Sequence, residues 1–92
     1  MENTKNRTMP LIAAQITVGM RFRLTGVLHV ASDGSRGTGR RFTDYPVRIV
    51  RILSGRKYPI LLGDNYSDQL GWVSADELTG HVTTYITAVV AM

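Results

Sequence analysis

The 92 residues leave room for one domain and no more, and a chain this short buries roughly 60–65% of the surface it exposes unfolded. Hydrophobic residues at 43% and charged residues at 20% exclude an intrinsically disordered chain. The absence of cysteine excludes a disulfide framework, a thiolate metal site and a thiol nucleophile.

The net charge of +4 is unevenly placed. Basic residues cluster between Arg21 and Lys57, where only Asp33 and Asp44 oppose them, while every charged residue after Tyr58 is acidic. Such a split fits either a polyanion-binding face or two halves of one barrel that attract each other.

In chain order, residues 1–10 read as a flexible arm. The start, Met1 to Thr8, is polar, and the apolar run from Leu11 to Ala14 is too short for a secretory signal core. No stretch has the length of a membrane span. The segment Leu11–Ile16 is expected to lie extended along a sheet edge, and Val18-Gly19 to turn the chain. Met20 to Thr25 alternates apolar and polar without a fault, which marks a strand buried on one face. Met20, Phe22 and Leu24 should face inward, and Arg21, Arg23 and Thr25 outward.

From His29 to Thr43 the composition is that of a loop, with Asp33-Gly34 as a turn signal and Gly37 and Gly39 behind it. Neither a Gly-Lys-Ser/Thr ending nor a long helix follows, which argues against a nucleotide-binding loop. Tyr45 to Leu53 is rich in β-branched residues, and Arg48 and Arg51 break its alternation, so a bulge, or an end of the strand that leaves the core, is expected. Ser54 to Lys57 forms a hairpin turn, Tyr58 to Leu62 the returning strand, and Gly63 to Asp68 the next turn.

Gly71 to Leu78 reads as a short strand entering one helical turn. Ser74 followed three residues later by Glu77 is a capping box, in which each side chain satisfies a backbone donor of the first turn. Val73 and Leu78 should point to the interior, and Trp72 to the other face, partly covered. The tail, Val82 to Val90, is an uncharged strand former. Left on an edge it would pair with another chain, so cover by Leu11–Ile16 or by a partner is expected. The count is about five strands, one long early loop and one helical turn, with no internal repeat. That order predicts an all-β, SH3-like barrel at residues 11–79, with residues 80–92 as an extra C-terminal strand; an OB-fold would insert a longer helix.

The series Val18-Gly19-Met20-Arg21-Phe22-Arg23-Leu24-Thr25-Gly26, Tyr45-Pro46-Val47-Arg48-Ile49-Val50, Gly55-Arg56-Lys57-Tyr58-Pro59-Ile60-Leu61-Leu62 and Gly71 to Leu78 resembles bacterial SH3 domains. The likeness is to those at the C-terminal end of phage endolysins and N-acetylmuramoyl-alanine amidases, and covers about residues 17–79. The resemblance implies a barrel that binds cell-wall peptide or glycopeptide and carries no catalysis. Two departures stand out: such domains usually follow a hydrolase domain, for which this chain has no room, and the tail after Thr79 lies outside their pattern. Both favour an alternative, a small assembly protein of the phage-virion kind that docks or oligomerises through Val82–Val90. The positions that in eukaryotic SH3 domains help line a polyproline groove hold Ser74 and Glu77 here, which argues against polyproline ligands.

The only histidines, His29 and His81, lie far apart without a metal-ligand spacing, so no catalytic residue, metal or cofactor is expected. Asp64 and Asp68 flank a turn and suit local hydrogen bonding better than calcium. The expected ligand groove lies between the His29–Thr43 loop and the Tyr66–Trp72 segment. Trp72, Tyr66 and Tyr58 would supply apolar contact, and Arg40 and Arg41 would meet acidic groups. Nucleic acid is a lesser alternative, because the aromatic residues are not interleaved with the basic cluster as a stacking platform requires. No membrane partner is expected. Synthesis in the cytoplasm, followed by action in a virion or at the wall after lysis, is the expected localisation.

Overall fold

In a computed structural model the described residues are 16–66 and 68–92. The strand read from alternation forms, and it runs further than its clearest stretch: β1 spans Arg21–His29. Phe22, Leu24 and Leu28 are fully buried, and Arg21 and Arg23 are exposed. The preceding turn at Val18-Gly19 also forms, with the Gly19 amide donating to the Ile49 carbonyl at 2.8 Å. Met20 is half-buried against the core.

β2 spans Thr38–Ile52 and is long enough to serve two neighbours. Its first half pairs with the end of β1 (His29 opposite Thr38, Val27 opposite Arg41), and its second half with the start of β1, where Val47 lies opposite Phe22. Between these halves β2 carries one extra residue, since Leu24 faces Tyr45 while Gly26 faces Phe42. Asp44 lies at this bulge with a φ of +46°. Its amide donates to Thr25 Oγ1, and Arg23 grips its carboxylate at 2.9 Å and its carbonyl at 2.9 Å. A bulge bends and twists a strand, and here it lets β2 turn round the core. The bulge expected near Arg48 and Arg51 is also present, as a register shift between Ile49 and Arg51.

β3 (Ile60–Gly63) and β4 (Gln69–Val73) form the next hairpin. The helix α1 (Ala75–Thr79) follows, and β5 (Ile86–Ala91) ends the fold. The sheet order is β2-β3-β4-β1-β5, with β1 pairing back to β2, so the antiparallel sheet closes on itself. This is a small all-β, SH3-like barrel. Every element contributes to its core: Phe22, Leu24 and Leu28 from β1, Val47 and Ile49 from β2, Ile60 and Leu62 from β3, Val73 from β4, Leu78 from α1, and Ile86 and Val89 from β5. Gly71 permits the closure. A Cβ there would sit 2.5 Å from Leu28 Cβ, so β4 could not pass this close to β1 with a side chain present.

Two expectations are corrected. The early loop is 30–37, not His29–Thr43, because β1 and β2 continue their ladder through it; Arg40 and Arg41 therefore stand on a strand. The C-terminal strand is the fifth strand of the sheet rather than an addition to it. It pairs with β1 in the same chain (Val89 opposite Leu24, Ile86 opposite Gly26) and begins at Ile86, not Val82. The expected cover from Leu11–Ile16 lies outside the described residues except for Ile16, which is half-buried against the core.

Candidate functional site

At the end of β1 the strand alternation sends Leu28 into the core and His29 to the opposite side, yet His29 is only 2% exposed. The cover comes from α1 and two loops. The Ser74–Glu77 capping box forms as read: the Glu77 amide donates to Ser74 Oγ at 3.1 Å, and the Ser74 amide donates to Glu77 Oε1 at 2.8 Å. The second carboxylate oxygen, Oε2, lies 2.9 Å from His29 Nε2. A carboxylate can only accept, so Nε2 carries the proton and donates. One side chain thus caps the helix and ties it to β1, and Glu77 too is only 2% exposed.

The imidazole is enclosed by aromatic rings. Tyr58 stacks on it with centroids 3.5 Å apart and planes at 10°, and Tyr85 meets it edge-on at 4.8 Å and 78°. Tyr58 is placed by the 30–37 loop, since its amide donates to the Ser32 carbonyl at 2.7 Å. Gly34 of that loop has a φ of +80°, and a Cβ there would crowd Tyr58 Cε2 at 3.1 Å. Lys57 Nζ lies 5.6 Å from the Tyr58 centroid, in cation–π range. Within the loop the Ser35 amide donates to Asp33 Oδ1 at 2.9 Å. Hydrogen bonds from the Ser35 side chain, and then from its amide, hold the Asp33 carboxyl below the usual carboxylate range. Trp72 lies directly opposite His29 across β1–β4 and opposite Leu61 across β3–β4. Register partners project to the same face of a sheet, so Leu61, Trp72 and His29 form one row across three strands.

Of the residues singled out from sequence, Trp72 and Tyr58 come together, both beside His29. Trp72 is half-buried and on the face opposite buried Val73, as its position in the pleat implied. Tyr66 lies in the turn at the other end of the β3–β4 hairpin and is 85% exposed. Arg40 and Arg41 are neighbours in a strand, so they point to opposite faces. Arg40 lies 4.9 Å over the ring of Phe42, and Arg41 stands opposite Val27. The five residues therefore do not line one groove. His29, Glu77 and Tyr85 were missed as members of the cluster. The capping signal placed Glu77 correctly in the helix but says nothing about its second oxygen.

Among the described residues no three histidine or acidic side chains are placed to hold a metal ion, and no helix is long and apolar enough to cross a membrane. Compared with known proteins, the chain finds no counterpart: no family model, no curated protein and no solved structure matches it.

Proposed function

We propose that this chain is a non-catalytic binding module of the bacterial SH3 kind. Its ligand is a wall peptide or glycopeptide, or a partner protein. The face it uses is the one where Trp72 stands in register with His29, on which Tyr58 stacks beside the 30–37 loop. The observation that carries this reading is the pinned aromatic cluster: Tyr58 is stacked on His29 and bonded to Ser32, while Tyr85 is still 38% exposed. Aromatic groups already held in place lose little entropy on binding, which is what a recognition surface requires. The His29–Glu77 pair, closed to solvent, acts in this reading as the support beneath the surface and not as a reacting group. Such a module acts at the wall after lysis or as part of a virion.

Co-sedimentation with purified Gram-positive walls tests the proposal. The intact chain is expected to pellet, and Trp72→Ala and Tyr85→Ala to pellet less. No sedimentation with walls of several species would sink the wall-binding form, and undiminished sedimentation of both variants would move the site elsewhere.

A second reading, a small assembly protein, is favoured by β5. It ends the sheet order, has no charged side chain, and exposes Val90 at 46%. Among the described residues its outer edge pairs with no strand and so offers backbone groups to another. Light scattering of the intact chain and of Val90→Lys tests this reading.

A further inference from the structure

Arg21 and Arg48 are register partners across β1–β2. Phe22, Val47 and Ile49 beside them are buried, so both arginines point out of the barrel, side by side. Like charges directly opposite in a ladder are unfavourable. Nearby Arg23 is neutralised by Asp44, but among the described residues neither Arg21 nor Arg48 has a carboxylate within salt-bridge distance. Both are instead steadied by neutral oxygens of the β3–β4 turn. Arg21 Nη2 donates to Asn65 Oδ1 at 3.0 Å, and Arg48 Nε donates to the Asp64 carbonyl at 3.3 Å. The turn is itself braced, because Asp64 Oδ1 accepts the amides of Tyr66 at 2.8 Å and Asp68 at 3.0 Å. That use directs the Asp64 carboxylate into the turn.

We infer that Arg21 and Arg48, with Asn65 and Tyr66, form a binding site for a phosphate group. Two guanidinium charges on adjacent strands match a dianion, and each fork of N–H donors suits phosphate oxygens. Asn65 spends its oxygen on Arg21, which leaves its NH₂ to donate, and the exposed Tyr66 adds a hydroxyl at the same turn. A bound dianion offsets the repulsion between the arginines, so the ligand supplies what the ladder lacks. The site lies at the far end of the β3–β4 hairpin from Trp72 and does not rest on the aromatic face, so either can fail alone.

The experiment is an NMR titration of the intact chain with inorganic phosphate, following the Nε signals of Arg21 and Arg48 and the amides of Asn65 and Tyr66. Sodium acetate at equal ionic strength is the control. Saturable shifts confined to these groups are expected with phosphate and not with acetate. Arg21→Gln, at an exposed position, should weaken binding about tenfold or more while the rest of the spectrum is preserved. Phenyl phosphate and dimethyl phosphate separate the two sources of such a group: tighter monoester binding marks a terminal phosphate, and equal binding a phosphodiester. Absence of saturation, equal shifts with acetate, or unchanged affinity in Arg21→Gln would each overturn the site.

Discussion

Glu77 does the work of two residues. Its Oε1 accepts from Ser74, its Oε2 from His29, and almost none of it reaches solvent. Removing a partner from a buried charged hydrogen bond leaves the other group unsatisfied, which costs more than the bond contributes. Glu77→Ala is therefore expected to destabilise the protein by about 3 kcal/mol. Glu77→Gln should cost less, because an amide can still close the capping box. Urea unfolding measures both, and equal stability of Glu77→Ala and the parent chain would show that the pair contributes nothing. The helix was legible from Ser74 and Glu77 alone, since a capping box is a local pattern. The bond to His29 was not, because 48 residues separate the two and nothing local to either specifies the other.

Among the elements, β5 is the one whose role changes most between sequence and fold. As a segment it is an uncharged strand former, and its composition suits an edge that waits for a partner. In the fold it pairs with β1 from Phe22 to Gly26 and places Ile86 and Val89 in the core, both fully buried. It is a wall of the barrel. Truncation after Thr79 is thus expected to abolish the folded state, seen as loss of dispersed amide signals. Ile86→Ala should cost about 2–5 kcal/mol, the range for removing a buried aliphatic side chain. A folded truncated chain would show that four strands suffice. The early loop was over-read for a related reason. Gly39 suggested a turn, but it lies in β2, where a Cβ would come within 3.2 Å of the Leu28 carbonyl oxygen. The glycine serves close strand packing there, and composition does not distinguish that use from a turn.

For the whole molecule, closure settles where charge and apolar surface end up. Among the described residues the arginine–carboxylate pair is Arg23–Asp44, within the first half, and the His29–Glu77 hydrogen bond joins the two halves. The remaining outward face of β1 and β2 is left positive around Arg21 and Arg48. Beside it, β5 carries exposed Val90 opposite Arg23 at the end of the sheet. If copies assemble through that edge, a lysine there should disperse them, since a charged side chain on an edge strand discourages pairing. Light scattering of the intact chain is expected, on the assembly reading, to show species larger than a monomer that Val90→Lys converts to monomer. A monodisperse monomer at all concentrations would remove self-assembly and leave docking onto a different protein beside the binding-module reading.

Local patterns in the sequence carry the class and order of the elements. Alternation in Met20–Thr25, the Val18-Gly19 and Asp33-Gly34 turns and the Ser74–Glu77 box act over a few residues and were borne out in β1, its flanking turns and α1, whereas Gly39 and the start of the Val82–Val90 run were misplaced. The tertiary structure alone decided which of those elements meet. It set His29 between Tyr58 and Tyr85 over Glu77, parted Tyr66 from Trp72, and put Arg21 beside Arg48. The physical reason is that strand pairing and barrel closure join residues through backbone register, which depends on every bulge and turn between them.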